Sequence, residues 1–235
     1  MSPAASPGAV GDTFLEGAYV MANGKQLSIL KQGVTAWNQW RDSHPKSRPD
    51  LHDCELGSVD LGGAHLEQAD LCDGHLDAAK LEGARLDSAD LGRAHLHDAD
   101  LHEAHLEEAN LSSAHLERAR LDKAHLEGAD LWEADLEGAN LEDASLEGAD
   151  LGGACLERAL LNRAELRGAC LRMANLEGAG LVGANLEGAM LTGAHVEGAD
   201  FRDAKGLTQE QIESAQGDPL TGLPEGLQRP EHWRG

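Results

Sequence analysis

Aromatic side chains make up only 3% of this 235-residue chain, with one tyrosine and two phenylalanines among them. That scarcity excludes an ordinary globular core, in which large rings fill much of the interior. Long apolar runs are missing too. No stretch approaches the roughly 20 apolar residues of a membrane-spanning helix, so no membrane role is expected. Residues 1–24 hold Pro, Gly, Ala and Ser without a basic start or a sustained apolar segment. This is not a secretory signal pattern, and a cytoplasmic location is the expectation. Only four cysteines occur, Cys54, Cys72, Cys155 and Cys170, with no CxxC spacing. They read as small space-fillers in a reducing compartment rather than as a disulfide or thiolate-metal framework. Basic residues are few, 19 Lys plus Arg against 42 Asp plus Glu, for a net charge of −23. Such a surface repels nucleic acid and anionic lipid and favours basic protein partners. A Gly-rich phosphate loop and a nucleophile motif are both lacking, and carboxylates this numerous mimic a catalytic pair at any spacing. The expectation is a non-enzymatic protein without a cofactor.

What is present is a strict period. Leucine stands at every fifth position from Leu51 to Leu191, and Val196 and Phe201 extend the column to 31 consecutive units. Alanine sits two residues before nearly every one of them. A period of five fits neither the 3.6-residue face of a helix nor the two-residue alternation of a flat strand. It calls for a repeat architecture in which each unit buries its apolar side by stacking on its neighbours. With leucine at position i, i−1 is often Asp, Asn or His, i+1 often Glu, and i+2 often Gly, as in Leu126-Glu127-Gly128-Ala129-Asp130. One large and one small apolar residue, two apart, suit an extended segment with both side chains on one face. The three remaining positions can turn a corner in solvent.

The flanks divide the chain further. A flexible tail is expected over residues 1–24, where Leu15-Glu16-Gly17-Ala18 echoes the repeat once. Over 25–42, Leu27, Leu30, Val34 and Trp37 fall at i, i+3, i+7 and i+10, which predicts one amphipathic helix. The repeat body covers 51–205, a second short helix 206–217 with Thr208 and Gln211 as a capping box, and a tail 218–235. A stacked coil leaves an apolar disc and unpaired backbone at each end. The helix bearing Trp37 and Trp40 is the expected lid on one end, with Leu207 and Ile212 on the other.

The repeat resembles the pentapeptide-repeat protein family, whose consensus is Ala-(Asp/Asn)-Leu-x-x. Its flanks are also similar to those of bacterial members, in Leu30-Lys31-Gln32-Gly33-Val34 with Ala36-Trp37-Asn38, and in Leu223-Pro224-Glu225-Gly226-Leu227. The resemblance implies a right-handed quadrilateral β-helix with four units per coil, an all-β fold with short capping helices at both ends. Some members are bacterial resistance proteins that mimic DNA, occupy the DNA-binding saddle of gyrase and relieve its poisoning by drugs. A protein partner is therefore implied, DNA gyrase or another topoisomerase, with a generic protein-interaction scaffold as the alternative. Those members often carry loop insertions and an aromatic core. This chain has no insertion between Leu51 and Phe201, and only Phe201 is aromatic at i. Their homodimers form end to end through the last coil, whereas here some 30 residues follow it and could cap that surface.

With four sides, residues 20 apart stack. The candidate partner-binding columns are then Glu67, Asp87, Glu107, Glu127 and Glu147 on one face, and Glu117, Glu137 and Glu157, continued by Glu177 and Glu197, on the opposite one. Asp130 and Asp150 belong to a third column with Asp70, Asp90 and Asn110, and Trp132 is the lone aromatic at i+1 beside them. Residues 51–204 carry 33 Asp plus Glu and 11 Lys plus Arg, a net −22. At about 4.8 Å per coil these residues form a rod near 37 Å long. The charge spacing of about 1.7 Å is then close to that of duplex DNA. His75, His95 and His115 stack in one i−1 column, and His65, His105 and His125 share the opposite one with Arg85. The first three are weak candidates for metal binding, because no Cys or carboxylate completes a ligand set in the same column; no metal site is expected.

Overall fold

Every corner of the repeat is made by a left-handed residue. In the computed structural model, which describes residues 23–233, all 31 residues at i+2, from Asp53 to Asp203, have φ between 51° and 72°. The alanine that follows returns its N–H to the leucine carbonyl, as from Ala129 to Leu126 at 3.0 Å. A three-residue return with only its third residue left-handed is the signature of a type II turn. Twelve of the 31 corners are glycine. At the other nineteen an L-residue bears a steric cost of about 1 kcal/mol, which the stack offsets.

Between corners run short extended segments that pair with the next coil. Parallel bridges link residues 20 apart without a break from Asp50 and Asp70 to Asn185 and Lys205, so one coil holds four units. Before the last units, each unit contributes three cross-coil hydrogen bonds. Around Leu126 these run from Leu126 N–H to Ser145 O (2.7 Å), from Ser145 N–H to Ala124 O (2.9 Å) and from Gly128 N–H to Glu147 O (3.0 Å). Every leucine at position i from Leu51 to Leu191, with Val196 and Phe201, is buried, and the alanines at i−2 are buried beside them. Each leucine contributes about 1.5–3 kcal/mol by leaving water.

The first coil would leave its ladder open, and two helices close it. They are α1 (Gly24–Leu30) and α2 (Val34–Ser43), where the apolar spacing predicted one. Gly33 adopts a φ of 111°, outside the range of a helix, and the chain turns there. Trp37 is buried, and its indole N–H donates to His65 O at 2.8 Å. Asn38 accepts from His65 N–H, Arg41 donates to the carbonyls of His65 and Glu67, and Gln26 accepts from Asp50 N–H. These side chains supply the partners that a preceding coil would have supplied. The tail expected over 1–24 falls outside the described residues, except Asn23 and Gly24. Asn23 caps α1 by accepting from Lys25 and Gln26 N–H.

At the other end the register slips rather than stops. His195 pairs with Gln216 and Asp200 with Gly222, 21 and 22 residues on. The extra chain is taken up by α3 (Gln209–Ser214), whose capping box joins Thr208 and Gln211. Residues 218–233 do not form the expected tail. Thr221 is buried and donates to Val196 O at 2.9 Å, while Trp233 is buried with its indole N–H on Ala215 O at 3.1 Å. The reason is the uncovered apolar disc of the last coil, which Ile212 and Trp233 bury within the same chain.

The left-handed corners make a direct prediction. Gly148 has φ 69°, and a β-carbon added there would have nothing within 4 Å. Gly148→Ala therefore meets no neighbour and bears only the steric cost of a left-handed L-residue, which should lower stability by about 1 kcal/mol in urea unfolding; an unchanged midpoint would contradict the type II corner.

Candidate functional site

The outer surface is built by the side chains that flank each leucine. The N–H at i+1 takes no part in the cross-coil ladder, and an Asp or Asn at i−1 accepts from it. Asp70, Asp90, Asn110, Asp130 and Asp150 all do this, to Cys72, Gly92, Ser112, Trp132 and Gly152, at 2.9–3.2 Å. The third acidic column is therefore structural through one oxygen of each residue. Its aspartates stay beside one another because each must serve its own turn.

The members of the two glutamate columns are not equally open to water. Glu67 is 19% exposed and held between Arg85 (2.9 Å) and Arg41 of α2 (3.4 Å), so it belongs to the lid contact. One oxygen each of Asp87, Glu107 and Glu127 is shielded from solvent without a hydrogen-bond partner. The other oxygen of Glu107 lies 3.3 Å from His105, and that of Glu127 lies 3.7 Å from His125. Glu147 pairs with Arg167 one coil on. On the opposite face Glu117 lies between His97 and His115, and Glu137 and Glu157 share Arg158.

Most cations of the repeat sit one coil above an acid. Arg93 binds Asp73, Arg118 binds Asp98 and Arg163 binds Asp143, each through paired hydrogen bonds across 20 residues. The guanidinium bonds hold these three carboxyls below the usual range. Their contribution is present at neutral pH and is lost as pH falls through the lowered values. All three pairs are exposed and lie at the i+2 corners, where ion pairs are worth little to stability. Negative charge consequently concentrates on the flat faces. Burial pushes the Cys54 thiol up to about 12 and that of Cys72 up to about 11, and raises Cys155 and Cys170. Thiols held protonated in this way suit the space-filling reading.

Histidine rings stack as the columns predict. His75 lies 4.7 Å from His95, His95 lies 5.0 Å from His115, and His105 lies 4.8 Å from His125. Trp132 is 46% exposed. Its indole lies against Gly152, where an added β-carbon would fall 2.6 Å from Cε3. The missing side chain at Gly152 is what lets the ring lie along the face.

The profile of the family described as pentapeptide repeats matches in overlapping stretches between residues 50 and 205. The chain belongs to the pentapeptide repeat family. Similar solved structures include HetL, involved in heterocyst differentiation regulation in the cyanobacterium Nostoc sp. strain PCC 7120. It is 31% identical, with 75% of this chain and 94% of that one covered and a TM-score of 0.41. A pentapeptide repeat protein from the Arabidopsis thaliana thylakoid lumen is 32% identical over 46% of this chain and 77% of that one, with a TM-score of 0.43. The plasmid-mediated fluoroquinolone resistance protein QnrB1 is 16% identical over 74% and 88%, with a TM-score of 0.37. Comparison with curated proteins gives no match.

Reading this pentapeptide repeat one column at a time missed two features. Columns i−1 and i+1 share a face, so carboxylates do stand beside the histidines: Asp77 groups with His75 and His95. Leu160, Met173 and Met190 add exposed apolar surface to the C-terminal half. Their signal was available as apolar residues at i−1 and i+2. Among the described residues no helix is long and apolar enough to cross a membrane.

The turn role of the third column separates hydrogen bonding from charge. Asp130→Ala leaves Trp132 N–H without its 3.0 Å acceptor and should cost about 1 kcal/mol. Asp130→Asn keeps an acceptor and should stay within about 0.5 kcal/mol of the parent. Equal losses in thermal or urea unfolding would show that charge, not the turn bond, matters there.

Proposed function

We propose that this chain is a non-enzymatic, cytoplasmic rod that presents carboxylate faces to the basic, DNA-binding surface of a protein. The partner we assign is DNA gyrase or another topoisomerase, so that the rod acts as a DNA mimic and protects against topoisomerase poisons. It does so without binding nucleic acid or membrane itself. The right-handed quadrilateral winding belongs to the same reading, and the strong preference of parallel crossovers for that hand supports it.

One observation carries the proposal. From Asp87 through Glu107 to Glu127 the column's ion-pair partners among the described residues are histidines alone, so the face stays anionic when those rings are neutral. Stacking at about 4.8 Å makes this a linear array of charge, the pattern a DNA-binding groove attracts at long range. A second reading, a scaffold with no nucleic-acid-related role, draws on Trp132, a half-exposed aromatic of the kind that anchors protein partners.

The two readings separate in a gyrase supercoiling assay with a quinolone present. The first expects the protein to restore supercoiling, and Glu107→Gln/Glu127→Gln/Glu147→Gln to lower its potency at least about tenfold. Trp132→Ala should leave potency intact. An inert parent protein, or a triple variant as potent as the parent, would overturn the gyrase assignment; a retained partner lost only with Trp132→Ala would favour the scaffold.

A further inference from the structure

We propose that His75, Asp77 and His95 form a binding site for one divalent transition-metal ion of the zinc, copper or nickel class. The residues come together through the repeat itself. His75 and Asp77 flank Leu76 on one face, and the parallel bridge from His75 to His95 brings the second imidazole one coil along the same face. The two rings stack at 4.7 Å with 18° between their planes, and the three residues place ligand atoms within 4.8 Å of one another.

Donor chemistry selects the metal. Two imidazole nitrogens and one carboxylate oxygen suit zinc, copper or nickel, whereas magnesium and calcium favour all-oxygen sites. Zinc bonds to nitrogen and oxygen are about 2.0–2.2 Å, so tetrahedral donors lie about 3.4 Å apart. From 4.8 Å the side chains close that gap by rotating from stacked to convergent. Asp77 is exposed and keeps one oxygen on His97 N–H at 3.2 Å, which leaves its other oxygen for the metal, and the two rings are half-buried, with His95 giving up its stacking on His115 as it turns. The backbone that carries them is fixed by cross-coil bonds, Leu76 N–H to His95 O at 2.7 Å and Ala78 N–H to His97 O at 2.8 Å. Little main-chain order has to be imposed on binding.

Two other groups of the same kind occur among the described residues, Asp50 with His52 and Asp70, and Glu107 with His125 and Glu127. Each offers one imidazole rather than two. A borderline metal therefore prefers the His75 site, where nitrogen donors outnumber oxygen. The general negative charge of the rod adds attraction for a cation without entering the ligand set.

Calorimetric titration of the full chain with zinc chloride tests the site. The expected result is one ion per chain, with a dissociation constant below about 100 μM. His75→Ala and His95→Ala should each weaken binding at least about tenfold, and His125→Ala should leave it unchanged. The far-UV spectrum should be the same for all variants, since none of these side chains enters the core. Cobalt(II) gives an independent readout: intense visible absorption of a four-coordinate ion should appear with the parent and vanish in His75→Ala/His95→Ala. No saturable zinc binding, full affinity in the double variant, or a loss confined to His125→Ala would each overturn the proposal.

Discussion

Leucine and the alanine two residues before it point to one side of a short extended segment, and a left-handed residue then turns the chain into the next segment. Everything else in this protein depends on that pairing being repeated without a slip. Thirty-one corners at φ 51–72° keep the apolar pair facing inward on all four sides, and the 20-residue bridges stack each coil in register on the last. An interior of leucine and alanine has no room for a ligand, so chemistry and recognition are confined to the side chains at i−1, i+1 and i+2. Register also removes choice from the surface. Whatever type of residue recurs at one position becomes a column.

Columns of like charge repel, and the protein accommodates them in distinct ways. At i−1 the aspartates satisfy turn N–H groups, which ties each carboxylate to its own coil. At the i+2 corners arginines sit one coil above acids and neutralise them pairwise. On the flat face of Glu67 to Glu147, arginines pair only with the two end members, Glu67 and Glu147, while Glu107 and Glu127 between them face histidines, and this is where negative potential survives. The two ends are governed by a different demand. There the ladder and the apolar disc must be covered, and Trp37, Asn38, Arg41, Ile212 and Trp233 supply both hydrogen bonds and apolar area. Glu67 shows the two demands meeting, an acidic-column residue drawn into the lid by Arg41.

Most of the rod was legible in the sequence, because a five-residue period ties the inward pair to leucine and alanine directly. The number of units per coil was not, since a period of five is compatible with any polygon; that came with the family resemblance and is seen in the bridges. The ends were read less well. Gly33 marks the break between α1 and α2, yet a continuous apolar spacing from Leu27 to Trp37 hides it. Trp233 signals a packed terminus, but composition rich in Pro and Gly reads as a tail. Surface chemistry was misread wherever it crosses columns. Asp77 stands beside His75 and His95 because i−1 and i+1 share a face, and Arg41 reaches Glu67 from 26 residues away, a contact no periodicity reveals.

The claim on which all of this rests is the stacking of residues 20 apart along one axis. Pulsed electron–electron resonance measures it with spin labels at Glu82→Cys and Asn162→Cys, after replacement of the four native cysteines. These positions lie 80 residues and four coils apart on one column, which predicts one narrow distance near 19 Å at about 4.8 Å per coil. A broad distribution, or a mean above about 30 Å, would contradict the stacked rod and the carboxylate columns with it.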